Sequence, residues 1–248
     1  MNEKGIKLDL HTHTVASGHA YSTVQEMARA AADKGLEILG ITEHGPSLPG
    51  ACHPLYFRNV HVIPREVYGV RLLMGVELNI IDNDGNVDFD EFFMEKTDLR
   101  SAGLHSLCYE PGTREENTKS VIKVMENPWI QIITHPGDGT ADLDFEQLVL
   151  ASKRTGTILE INNSSLKPCR GKAEARDNNR EILRLCAKHN VPVILGSDAH
   201  ISFSIADYTY LYELLEETAF PDELILNCDT EKLLASLKPK PEKTFSKR

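Results

Sequence analysis

No two cysteines in this chain are spaced as Cys-x-x-Cys. The five present (Cys52, Cys108, Cys169, Cys186 and Cys228) are odd in number and scattered. That argues against a disulfide framework and a thiolate zinc site, and fits reduced thiols in a cytoplasmic protein. No apolar run approaches the ~20 residues a membrane span requires. The opening Met1-Asn2-Glu3-Lys4-Gly5 leads into no apolar segment of the kind a signal peptide carries. Positive charge is also in deficit: 27 lysines and arginines stand against 37 aspartates and glutamates, a net charge of −10. A broad nucleic-acid scaffold, which must neutralise phosphates over a wide face, is not expected of such a chain. Internal repeats and low-complexity segments are missing as well.

What remains is ordinary globular composition, 41% hydrophobic and 26% charged over 248 residues, enough for one large domain. Strand-like and helix-like patterns alternate along it. Residues 8–10, 37–42, 70–80, 97–104, 129–134, 157–161 and 191–195 read as strands. Residues 24–34, 115–126, 145–154 and 173–189 read as helices, and the chain from about Phe203 to Leu237 as further helix. Thr23 and Glu26 form a capping-box pair, and Gly35 stops the helix they open. Residues 45–69 are rich in turn signals and read as a long excursion; Asp82-Asn83-Asp84-Gly85 marks a tight turn. About seven βα units in succession imply a parallel sheet closed, or nearly closed, into a TIM-barrel-like α/β fold. We assign residues 1–237 to this single domain and residues 238–248 to a polar C-terminal tail.

The segment Leu8-Asp9-Leu10-His11-Thr12-His13 organises the rest. Two histidines at i and i+2 on a strand project to one face. The other strand ends deliver His44, Glu77, His105, His135, Asp198 and His200, and His19 follows in the first loop. In a parallel barrel these ends converge at one mouth. Imidazole and carboxylate without thiolate suit Zn²⁺, Mn²⁺ or Fe²⁺ in a catalytic role, and nine ligands call for two or three ions. Such ions would outweigh the two carboxylates, leaving a cationic pocket suited to a small phosphate monoester. Arg58 and Arg170 lie in segments able to border that pocket and bind phosphate oxygens, or to stay in solvent. Asn162, Asn163 and Ser164 either line the bowl or shape a turn. Gly196-Ser197-Asp198-Ala199-His200 is not a G-x-S-x-G nucleophile elbow, so a serine mechanism is disfavoured.

The set of motifs (HTH near the start, ITEHGP, GVE, THPG, EINNSS, GSDAH) resembles the PHP (polymerase and histidinol phosphatase) family of metal-dependent phosphoesterases, and within it the YcdX-type phosphatase branch. The resemblance spans nearly the whole chain. It implies a distorted (β/α)7 barrel and a trinuclear site, usually with zinc. It implies that His11, His13, Glu77 and Asp198 hold one ion, that His19, His44 and His200 hold a second, and that Glu77, His105 and His135 hold a third. Glu43 stands where relatives often carry Asp, and is expected behind the ligands, orienting an imidazole. The implied function is hydrolysis of small phosphate monoesters of metabolites, histidinol phosphate among them, by attack of a metal-bridging hydroxide. Relatives of this branch also suggest a homo-trimer. Two alternatives stay open: a nuclease or phosphodiesterase, and a non-enzymatic metal-binding protein.

Overall fold

The computed structural model of the protein describes residues 5–170 and 174–241. In chain order its strands are β1 (Leu8–Asp9), β2 (Ile38–His44), β3 (Glu66–Val67), β4 (Val70–Asn79), β5 (Leu99–Gly103), β6 (Ile132–Ile133), β7 (Ile158–Asn162) and β8 (Val193–Gly196). Its helices are α1 (Val24–Asp33), α2 (Leu55–Arg58), α3 (Glu91–Met94), α4 (Arg114–Glu126), α5 (Phe145–Thr155), α6 (Ala175–His189), α7 (Thr209–Glu217) and α8 (Thr230–Ser236). The strands pair in the order β1-β2-β4-β5-β6-β7-β8, all parallel, while β3 folds back antiparallel on β4 through the turn Tyr68-Gly69.

Helix starts are set by local hydrogen bonding. Thr23 and Glu26 close a capping box on α1, as expected, and Thr113 and Glu116 close a second on α4. Asp144 caps α5 and Asp229 caps α8. These caps satisfy amide donors that the first helical turn leaves orphaned.

Strand register sorts the side chains into two layers. Ile38, Gly40, Thr42 and His44 share a face with Leu73, Gly75 and Glu77, and that face continues through Leu99 and Ser101 to Ile132, Ile158 and Glu160. Its lower part is apolar: Leu8, Ile38, Leu73, Leu99, Ile132, Ile158 and Ile194 fill the barrel, and Leu226 and Leu233 plug it from below. Its upper part turns polar and opens at the strand C-termini. The opposite face, including Leu39, Ile41, Leu72 and Met74, packs against the helices as the larger core.

The barrel is nearly closed. At the top, Thr12 bridges Ala199, and the His13 amide donates to the Ala199 carbonyl at 2.9 Å. Lower down, a side chain substitutes for the missing ladder between β1 and β8. Buried Asn227 donates from Nδ2 to the carbonyls of Leu8 (3.2 Å) and Leu195 (2.9 Å), and its Oδ1 accepts the Leu195 amide (2.7 Å). Asn227→Ala would strand buried backbone groups on both strands. We expect it to cost about 3 kcal/mol in urea unfolding; a loss below about 0.5 kcal/mol would show that the seam does not depend on it.

Three sequence expectations change in detail. The segment 129–134 yields only a two-residue β6; just before it, Gln131 accepts the Arg100 amide through its side-chain oxygen and donates to the Lys238 carbonyl. The helical stretch after Phe203 is broken into α7 and α8 around Pro221, whose ring removes a donor and cannot continue a helix. Lys238, read as the start of a tail, is docked: its ammonium donates to the Met125 carbonyl at 2.8 Å and to Thr157 Oγ1 at 2.6 Å. Residues 242–248 and Ala173 lie outside the described residues. No helix among the described residues is long and apolar enough to cross a membrane.

Candidate metal centre

Each side chain named from the strand ends arrives at the mouth by a short, defined route. His11 and His13 follow β1 and are buried. Gly18, with φ of +80°, turns the chain toward His19; a Cβ there would lie 2.1 Å from the Gly50 carbonyl oxygen, so only glycine fits. His44 ends β2, Glu77 lies near the end of β4, and His105 and His135 sit two residues past β5 and β6. Asp198 and His200 follow β8. His135 and Asp198 have φ of +34° and +53°. That backbone region costs non-glycine residues ~1–3 kcal/mol and is typical of functional sites.

Glu77 is the hub. Its fully buried carboxylate lies within reach of nitrogens from five histidines: His135 Nε2 at 2.9 Å, His44 Nδ1 at 3.0 Å, His11 Nε2 and His105 Nε2 at 3.3 Å, and His13 Nε2 at 3.5 Å. Asp198 approaches His13 Nε2 at 3.4 Å and His200 Nδ1 at 3.3 Å. His19 reaches His200, Nε2 to Nε2, at 2.9 Å. All nine side chains thus meet in one cluster.

Burial and charge compete strongly here. Burial raises carboxylate pKa values, but the imidazoles outweigh it and hold Glu77 and Asp198 well below their ordinary range. Burial disfavours imidazolium, yet Glu160, Glu77 and Asp198 raise His11 well above its usual value. His135 is lifted to about 9 against the same desolvation, chiefly by Glu77. His13 and His44 go the other way, lowered first by burial.

A ring of supporting groups aims the imidazoles. His11 Nδ1 lies 2.7 Å from Glu160 Oε1. His19 Nδ1 and His200 Nδ1 donate to the backbone carbonyls of Ser17 and Asp198, both at 3.0 Å. His13 Nδ1 contacts Ser17 Oγ at 3.1 Å. In all four the second nitrogen, Nε2, is left for the interior. Thr134 Oγ1 donates to Glu77 at 2.8 Å. Asp9 is buried beneath and accepts from Ser197 Oγ and the Ala206 amide. Glu160, Asp9 and Ser17 were not singled out from the sequence. A signal for the first two exists: a carboxylate within an otherwise apolar strand (ILEIN, LDL) is costly to bury without partners.

The cluster contributes to a cleft of about 640 Å³ that is also lined by Leu48, Pro49, Leu104 and Leu107 and by Asp138, Thr140 and Ser165. Arg58 does not line it: α2 turns Phe57 into the core and leaves Arg58 exposed. The side chain of Arg170 lies outside the described residues. Asn162 Oδ1 accepts the Ser165 amide, and Asn163 Oδ1 accepts the Tyr210 and Leu211 amides in the first turn of α7, so both shape turns here. His53 and His61 are exposed in the 45–69 excursion.

The donor set fits cations. Four triads have ligand atoms all within 4.8 Å of one another: His13-His44-His200, His11-His13-Asp198, His11-Glu77-His135 and His44-Glu77-His105. Buried His44 Nδ1, Glu77 Oε2, both nitrogens of His105 and His135 Nδ1 close no well-angled hydrogen bond, even where, as between His44 Nδ1 and Glu77 Oε2, they stand only 3.0 Å apart. A carbonyl can only accept, so His19 and His200 carry their protons on Nδ1. Their Nε2 lone pairs then face each other at 2.9 Å, and the Nε2 atoms of His11 and His13 stand 3.1 Å apart. Such contacts repel unless a proton or cation lies between. Two nitrogens each ~2.0–2.1 Å from a shared ion would stand about 2.9 Å apart at a right angle and about 3.3 Å apart at a tetrahedral one. The triads place His13 with His44 and His200, where the family resemblance implied His19.

A parallel barrel whose C-terminal mouth gathers imidazoles and carboxylates in this way defines a class of metal-competent (β/α) barrels. Within that class the chain belongs to the PHP domain family, whose sequence model matches residues 9–219. It is 47% identical to a "probable phosphatase" of Clostridium novyi over 94% of this chain and 95% of that one. It is 45% identical to a "probable phosphatase" of Acetivibrio thermocellus over 95% and 97% of the two chains. The histidinol phosphate phosphatase of Lactococcus lactis, solved with zinc, L-histidinol and phosphate, shares the fold with a TM-score of 0.60 at 19% identity, covering 87% of this chain and 94% of that one.

Proposed function

We propose that the protein is a metal-dependent phosphatase that hydrolyses small phosphate monoesters at a three-ion site in the barrel mouth. The observation that carries this reading is Glu77, a buried carboxylate faced by nitrogens of five histidines at 2.9–3.5 Å. The ligands would be His11, His13, His19, His44, Glu77, His105, His135, Asp198 and His200, and their nitrogen and oxygen donors favour Zn²⁺, with Mn²⁺ or Fe²⁺ as substitutes. Divalent ions at such a site supply a nucleophile near neutral pH and offset the charge of the attacking and leaving oxygens.

The chain's own groups prepare this chemistry. Glu160 and the Ser17 and Asp198 carbonyls hold three imidazoles with Nε2 inward, so little reorganisation is needed when charge develops. The cleft admits a metabolite-sized ester, with apolar contact offered by Leu48 and Leu107. High identity to two chains named as probable phosphatases supports the same reading. The zinc and histidinol of the Lactococcus protein make an amino-alcohol phosphate a natural first substrate to try.

The test is a panel of phosphorylated metabolites, with metal content measured on the same sample. Release of inorganic phosphate from at least one monoester, in proportion to bound metal, is expected. Faster cleavage of bis(p-nitrophenyl) phosphate than of p-nitrophenyl phosphate would instead indicate a phosphodiesterase. Metal-replete protein that cleaves neither would overturn the enzymatic reading.

A further inference from the structure

We propose that Glu43 sets the tautomer of His13 through the hydroxyl of Ser17, and so decides which nitrogen of that ring can bind a cation. Glu43 lies one residue before His44, but it faces away from the cluster. Both of its oxygens are taken by donors. Oε2 accepts the Thr14 amide at 3.1 Å and the Ser17 hydroxyl at 2.6 Å. Oε1 accepts the Thr14 hydroxyl and, at 3.4 Å, the Tyr56 hydroxyl. The Thr14 hydroxyl in turn accepts the Ala16 amide at 3.2 Å, so its own proton is free for Glu43.

This polarity propagates. A serine hydroxyl has one proton and two lone pairs. With the proton committed to Glu43, Ser17 Oγ can only accept from its other neighbours. One of these is the His44 amide, at 3.2 Å, which can only donate. The other is His13 Nδ1 at 3.1 Å, which must therefore carry its hydrogen. The His13 proton thus sits on Nδ1, and Nε2 presents a lone pair to Glu77, Asp198 and His11. One hydroxyl oxygen also ties the segment that follows β1 to the end of β2, fixing His13 and His44 relative to each other.

The role is one of positioning, since Glu43 touches none of the nine clustered side chains through its carboxylate. It differs from the fixing of His11, His19 and His200, whose partners contact the ring directly. A two-step arrangement depends on the acceptor-only character of the first group. Glutamine would not test this, because the Thr14 amide, which can only donate, holds its carbonyl oxygen on the Ser17 side; leucine at position 43 removes the acceptor. The hydroxyl would then be free to donate to His13 Nδ1, moving the ring proton to Nε2 and blocking the ligand position. Aspartate retains acceptor-only character and is the conservative comparison.

The inference rests on His13 being a metal ligand, so its test reads the tautomer directly, in metal-free protein and without substrate. Long-range ¹H–¹⁵N correlation of the histidine rings, with His13 assigned by its loss in His13→Asn, is expected to show the Nδ1–H form in the wild type. Glu43→Leu should shift His13 toward Nε2–H and weaken zinc binding by about 10- to 100-fold in chelator competition. Glu43→Asp should retain the Nδ1–H form. In a Ser17→Ala background the Glu43→Leu change should have no further effect on zinc affinity, because the link is already cut. An unchanged His13 tautomer in folded Glu43→Leu, or full additivity of the two substitutions, would overturn the proposal. Wild-type protein that binds no zinc while showing the expected tautomers would instead overturn the metal-ligand reading.

Discussion

Replacing Glu77 by alanine is expected to lower phosphate-ester turnover by about 10³-fold or more and to reduce bound metal in the same preparation. Two of the four metal-competent triads contain Glu77, and its carboxylate is the shared negative charge of the cluster. Its removal leaves His11, His44, His105 and His135 converging with only Asp198 and the supporting Glu160 to offset cations. Glu77→Gln separates charge from shape. It keeps the volume and one acceptor for Thr134, so the fold should survive, and its metal loss should approach that of the alanine variant. Metal content by mass spectrometry and circular dichroism on the same samples make the comparison. A folded Glu77→Gln protein with full metal and normal turnover would show that the hub carboxylate is structural only.

The main architecture was legible because alternation is a strong signal. Seven buried strands separated by helix-length segments leave a parallel, nearly closed sheet as the economical way to cover both faces. The mouth was legible for a related reason. A polar, ligand-type residue at the end of an apolar strand costs burial energy unless it has partners, and the chain repeats that pattern from His11 to His200. Capping also read directly: Thr23 and Glu26 satisfy each other's backbone within four residues, without tertiary help.

What the sequence concealed depends on contacts distant along the chain. Glu160 supports His11 across 149 positions, and Asn227 stitches β1 to β8 across 219. No local pattern encodes such pairings. The β3–β4 hairpin was missed because two residues of strand carry no period, although Tyr68-Gly69 at its tip holds both φ angles positive. Arg58 was misplaced by proximity: the 45–69 excursion does border the cleft through Leu48 and Pro49, but a single buried Phe57 turns α2 so that its arginine faces solvent.

Stripping the ions with a chelator should abolish turnover and also reverse how stability responds to pH. Ions that bind only the folded protein stabilise it by about 2.7 kcal/mol per site when free ion stands 100-fold above the dissociation constant, so the unfolding midpoint should fall markedly. In the stripped protein the carboxylates have only protons to balance them. Burial opposes charge on His135, but Glu77, with Asp138 and Glu160 behind it, raises its pKa to about 9 from 6.5. His11 is raised in the same sense, against burial, by Glu160, Glu77 and Asp198. A raised histidine stabilises the fold fully below its unfolded value and loses that contribution as pH climbs through the folded one. Stripped protein should therefore become less stable between pH 6.5 and about 9. Loaded protein should change oppositely, because ions must displace these protons and bind more tightly as the protons leave. Zinc titration at pH 7 in buffers of different ionisation enthalpy should register proton release. Zinc uptake with no proton release, and stability curves of equal slope with and without the ions, would mean that His11 and His135 are not where the cations bind.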